Sequence, residues 1–130
     1  APEGFILVDS GTAMTIDVVN AAGIHQGGYI VPGLKLMRRS LELNTKIQLG
    51  GGLHADDFAL GQSTDDAVYN GTLMMAVGLI EEVKHQHPDL SVFLAGGDAE
   101  TLAKSLRFVG WEIKSDLVLN GFSIALAADS

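Results

Sequence analysis

Along the first third of the chain the apolar positions change period twice. Phe5-Ile-Leu-Val8 is a continuous apolar run, the pattern of a strand covered on both faces. From Ala13 to Val19 the residues alternate, with Met14, Ile16 and Val18 on one face and Thr15 and Asp17 on the other, which predicts a half-buried strand. Asn20-Ala-Ala-Gly23 reads as a turn, and Ile24 to Val31, carrying Gly27-Gly28, as a third strand. Three strands in succession with short turns predict a meander. After Pro32-Gly33 the period becomes helical: Leu34, Met37 and Leu41 share a face. Arg38 and Arg39 fall outside that face and point apart, so they are assigned to a solvated surface rather than to a phosphate.

Residues 48–62 show neither period and contain four glycines, which predicts a mobile loop. Ser63-Thr64-Asp65-Asp66 supplies a hydroxyl cap and two first-turn carboxylates for a helix running to about His85, before Pro88. Its middle, GTLMMAVGLI, is apolar almost all the way round, as in a helix buried on more than one side, in a core or against another subunit. Gly71 and Gly78 are expected to admit another backbone there. Leu90 to Ala95 predicts a further strand, ended by Gly96-Gly97-Asp98 and followed by a helix over 99–108. A short WEI segment, a strand fragment at Leu117 to Leu119 and a terminal helix over Gly121 to Ala128 complete the reading. The order, a three-strand meander followed by helices packed on a mixed sheet, predicts a single α/β domain of the ribonuclease-H-like kind over 1–130.

Composition narrows the partners. The chain has 130 residues, 47% hydrophobic and 18% charged, enough for one domain with a real core. A net charge of −8 argues against nucleic acid and against an anionic membrane. It leaves phosphate ligands open, because backbone N–H groups bind anions in acidic proteins too. There is no cysteine, so no disulfide framework and no thiolate metal site. The first residues lack the basic and apolar regions of a signal peptide, and no apolar run is long enough to span a bilayer, so a soluble, cytoplasmic protein is expected.

Two turns have candidate chemistry. Asp9-Ser10-Gly11-Thr12 closes a buried strand: the carboxylate suits a cation or water, Gly11 admits a ligand to the backbone, and Thr12 adds a hydroxyl. A plain hairpin whose aspartate bonds local amides accounts for the same residues. Ala95-Gly96-Gly97-Asp98 closes a second strand before a helix, suiting a base or ribose, or simply a loop with unusual dihedrals. Neither turn matches GxxxxGK[ST] or GxGxxG. His54 near Asp56 and Asp57, and the pair His85 and His87, invite a metal reading. No HExxH is present, and a solvated helix tip explains the second pair. No nucleophilic triad is recognisable.

In order, DSGTAMTIDVV, GGYIVPGLKLMRRSLELNT, GQSTDDAVYNG, AGGDAE and DLVLNGFSIA resemble the second half of type III pantothenate kinases. These are also called the Bvg accessory factor family, within the actin, Hsp70 and sugar-kinase superfamily. The resemblance covers nearly the whole chain; each piece is short, but five in sequence are specific. It implies an actin-like ATPase fold and phosphorylation of pantothenate by ATP with Mg2+, the first step towards coenzyme A. By the same resemblance Asp9 binds a monovalent cation (K+ or NH4+) and Thr12 meets the ATP phosphates, with Gly11 and Ala13 lining the turn of that ATP site. Gly96, Gly97 and Asp98 lie on the adenosine side, and Thr64 contacts pantothenate. Thr45 matches a family position without an assigned ligand. A homodimer through the 64–84 helix is implied as well.

The family's first phosphate loop, DxGNT, and the GxDR motif with its general base are not in this sequence. The chain is therefore expected to be the C-terminal lobe of a two-lobed kinase, with no catalytic residue of its own and no useful activity alone. The competing expectation is a catalytically silent accessory or regulatory protein that shares the fold.

Overall fold

The computed structural model describes residues 3–50, 57–114, 117–120 and 123–126. The expected meander is present as β1 (Gly4–Ser10), β2 (Ala13–Asn20) and β3 (His25–Pro32), each antiparallel to the next. Gly4, paired with Asn20, has a φ of +103°, and a Cβ there would lie 2.2 Å from the Val19 carbonyl oxygen. Helices α1 (Leu34–Asn44) and α2 (Thr64–Gln86) follow, then β4 (Ser91–Ala95), α3 (Ala99–Ser105) and β5 (Trp111–Ile113). Strand β4 returns parallel to β1 and β5 parallel to β4, giving one mixed sheet in the order β3-β2-β1-β4-β5.

Alternation along the central strands decides which face is covered. Ile6 and Val8 of β1, Met14 and Ile16 of β2, and Val92 and Leu94 of β4 share the face that the helices bury. Against it pack Leu34 of α1, Leu73, Val77, Ile80 and Val83 of α2, and Leu102 of α3. The same alternation puts Ser10, with no exposure, on the helix side and Asp9, exposed, on the other. On Asp9's face Phe5 and Phe93 pack with their rings tilted 59° and centroids 5.6 Å apart.

Helix α2 is longer than its neighbours and begins as its sequence requires. Ser63 caps it, its hydroxyl oxygen accepting from the Asp66 amide at 3.1 Å, and Asp65 and Asp66 occupy the positive end of the helix dipole. Asp65 also accepts from the Gly50 amide at 2.8 Å, which ties the preceding segment to the helix start.

Three expectations need correction. Residues 123–126 are strand, not helix: β6 (Leu117–Asn120) and β7 (Ser123–Leu126) pair antiparallel, Asn120 opposite Ser123. Two four-residue apolar runs around a glycine-bearing pair are a hairpin signal that the helical reading overrode. Helix α3 stops at Ser105, three residues early. Arg38 is half-buried rather than on a free solvated face, because its Nε donates to the Thr72 hydroxyl at 2.9 Å, its guanidinium donates to the Tyr69 carbonyl, and it lies 4.1 Å over the Tyr69 ring. Along α2, Val77 belongs to the core, whereas Gly71 and Gly78 face open space on the outer side of the helix with Met74 and Met75. His54 and Asp56, and with them the middle of the 48–62 segment, lie outside the described residues.

Candidate functional site

Parallel pairing of β1 with β4 puts Asp9 opposite Ala95, so the two candidate turns leave the sheet side by side at the same edge. Strand ends that point one way are where open α/β sheets bind ligands. The Ser10–Ala13 turn is tight, with the Gly11 amide donating to the Ala13 carbonyl at 3.0 Å. The 96–98 turn is stapled to it twice. The Asp98 amide donates to the Ser10 carbonyl at 3.1 Å, and the buried Ser10 hydroxyl donates to the Asp98 carboxylate at 3.0 Å.

Gly96 is where this fit demands glycine. Its φ is +89°, and a Cβ would fall 2.4 Å from the Ser10 carbonyl oxygen and 2.7 Å from Asp9 Oδ1. The third wall comes from α1. The Gly33 amide donates to the Thr12 carbonyl at 2.9 Å, and a Cβ on Gly33 would lie 2.1 Å from the Gly11 carbonyl oxygen. The helix thus starts directly against the first turn.

Between these three parts lies a cleft of about 460 Å³. Gly11 and Thr12 line it from the first turn, Gly97 and Asp98 from the second, and Lys35, Leu36 and Arg39 from α1. Of the sequence candidates, then, Gly11, Thr12, Gly97 and Asp98 are brought together. Gly96 braces the cleft from behind, and Ala13 starts β2, paired with Pro32, without lining it. Thr64 is the exposed first residue of α2 and does not line this cleft. Thr45 is the C-cap of α1, its hydroxyl turned back to the Leu41 carbonyl.

Asp9, the penultimate residue of β1, has an exposed carboxylate that makes no hydrogen bond or ion pair to another described residue. An open carboxylate beside backbone carbonyls suits a hard cation with oxygen ligands. Among the described residues no group of three His, Asp or Glu side chains is placed to hold a metal by itself. His85 is exposed in the last turn of α2, and His87 is its C-cap. Of the cleft residues, Lys35 and Leu36 were not singled out in the sequence and Arg39 was assigned to a solvated surface; Ser10, buried beneath the first turn, gave no signal either. Lys35 and Arg39 are four apart just after Pro-Gly, a spacing that puts both on one helix face. The adjacent pair Arg38-Arg39 drew attention away from it.

The type III pantothenate kinase family model matches residues 1–86. The chain belongs to that family. It is 40% identical over 118 residues to the type III pantothenate kinase of Psychrobacter arcticus, covering 90% of this chain and 48% of that protein. With the type III pantothenate kinase of Pseudomonas aeruginosa it shares 37% over 139 residues, 96% of this chain and 53% of the relative. The chain therefore spans about half the length of the pantothenate kinases it matches. A solved chain from Campylobacter jejuni, described as a Baf family transcriptional activator, superposes with a TM-score of 0.67 at 28% identity over 86% of this chain and 51% of that one. Among the described residues, no helix is long and apolar enough to cross a membrane.

Proposed function

We propose that this chain is the C-terminal lobe of a cytoplasmic, two-lobed kinase of the actin-like superfamily that transfers the γ-phosphoryl group of ATP to pantothenate. One observation carries the reading. In a member of the type III pantothenate kinase family, the Gly11-Thr12 turn and the Gly97-Asp98 turn meet in a single cleft. The strand order β3-β2-β1-β4-β5, with its antiparallel meander and parallel return, supports the ribonuclease-H-like assignment.

In this reading the Thr12 hydroxyl donates to a phosphate oxygen, and Gly11 lets the phosphate chain approach the backbone. The turn at Gly97 and Asp98 holds the adenosine end. Asp9 holds the monovalent cation, K+ or NH4+, for which its open carboxylate is suited. Bound Mg2+ would neutralise charge on the phosphates. Thr64, with its free-standing position at the start of α2, meets pantothenate at a dimer interface formed by the outer face of that helix. No general base is assigned within this chain, and it belongs to the N-terminal lobe. Phosphoryl transfer depends on positioning from both sides, so one lobe binds without turning over.

The test pairs binding with turnover. Millimolar ATP with K+ is expected to raise the melting temperature of the chain through linkage, and Thr12→Ala to reduce that rise. Incubation with ATP and pantothenate is expected to yield no phosphopantothenate. Absence of any shift counts against the nucleotide reading, and turnover at enzyme-like rates against the inactive lobe. The likeness to a chain described as a transcriptional activator favours a second reading, a silent accessory protein. That reading survives only if neither ATP nor pantothenate binds, even when the N-terminal lobe is supplied.

A further inference from the structure

Two cleft side chains, Lys35 and Arg39, have no part in the reading above. They stand four residues apart on α1, so their Cβ atoms are about 5–6 Å apart on one face of the helix. Both are exposed, both line the cleft beside Gly11 and Thr12, and neither makes a hydrogen bond or ion pair to another described residue. Arg38, between them in sequence, is the opposite case, tied down on Thr72 and Tyr69. The chain carries only eight lysine and arginine residues against sixteen carboxylates, yet two of the eight point into this one cleft. The cleft's own carboxylate, Asp98, already accepts the Ser10 hydroxyl and pairs with neither cation. An acidic protein that keeps two uncommitted cations beside a glycine-threonine turn has the composition of an anion contact.

We propose that Lys35 and Arg39 grip the phosphate chain of the bound nucleotide from the α1 side, opposite the Gly11-Thr12 turn. The proposal rests on the nucleotide reading of the cleft and adds to it the residues that select a polyphosphate over a nucleoside. The Arg39 guanidinium offers paired N–H donors to two oxygens, and Lys35 supplies a compact mobile charge one turn nearer the turn backbone. Because both are exposed, their attraction is screened, and the affinity they add falls as salt rises.

The experiment titrates the chain with inorganic tripolyphosphate and, separately, with adenosine, comparing it with the Lys35→Gln/Arg39→Gln double variant at low and moderate salt. The double variant is expected to bind tripolyphosphate about tenfold more weakly or worse, with adenosine binding and the ligand-free melting temperature unchanged. The two single variants, each expected to fall between, repeat the comparison if the double variant melts without cooperativity. Equal tripolyphosphate affinity in the unaltered and altered chains overturns the proposal and leaves the nucleotide reading standing. Tripolyphosphate binding that the double variant loses, without adenosine binding to either protein, upholds the anion contact and overturns the nucleotide reading. Failure of the unaltered chain to bind tripolyphosphate overturns the proposal, and failure to bind adenosine as well overturns both.

Discussion

At the scale of single residues, two adjacent glycines that look alike in sequence do different work. Gly96 has a left-handed backbone, and its missing Cβ is what lets the second turn lie against Ser10 and Asp9. Gly97 has open space around the position of a Cβ and no such backbone demand. Gly96→Ala is therefore expected to cost about 2 kcal/mol or more, from strain and overlap with the Ser10 carbonyl. Gly97→Ala is expected to leave stability unchanged or raise it by up to about 1 kcal/mol, by restricting the unfolded chain. Urea unfolding of the two variants measures both, and equal losses would remove the distinction. Neither fate was legible in the dipeptide, because what separates the two positions is Ser10, eighty-six residues earlier than Gly96 in the chain. Ser10 itself was hidden for the same reason. A serine in a turn gives no sign that its hydroxyl will be buried against a carboxylate from another loop.

At the scale of elements, the uniform apolar character of α2 was legible and its division into two faces was not. Periodicity fails where nearly every position is apolar, so the partition depends on which residues the sheet covers. The covered stripe is Leu73, Val77, Ile80 and Val83, and the outer one holds Gly71, Met74, Met75 and Gly78. The two stripes call for separate experiments. Val77→Glu places a charge in the core and is expected to cost more than about 3 kcal/mol, read as loss of the folded state rather than as a change in assembly. Met75→Glu, at a side chain 67% exposed, is expected to keep stability within about 0.5 kcal/mol. If the outer stripe is the dimer interface, that same variant sediments as a monomer. An unchanged sedimentation coefficient would argue that α2 pairs with nothing. The terminal hairpin shows the converse limit. Its apolar runs of four residues are too short for period alone to separate strand from helix, and length with the flanking glycine should have decided it.

At the scale of the whole molecule, the meander, the helix starts and the existence of a further strand before Gly96 all followed from local pattern, because each has a turn signal at its boundary. The sheet order did not, since pairing of β1 with β4 is a contact between segments more than eighty residues apart. That pairing creates the cleft, so its walls could be named only in part from the sequence. One further property comes with the way the walls are joined. The Gly33 amide holds the Thr12 carbonyl, and Arg38, about one and a half turns along the same helix, holds α2 through Thr72 and Tyr69. α1 is thus a stiff crank with two bearings, one at its start on the Ser10–Ala13 turn and one at its middle on the helix that carries the outer methionine stripe. Drawing Thr12 towards a ligand would load the first bearing. Amide exchange at Gly33 should then slow when ATP is bound, and an exchange rate indifferent to ATP would show that the crank is not engaged.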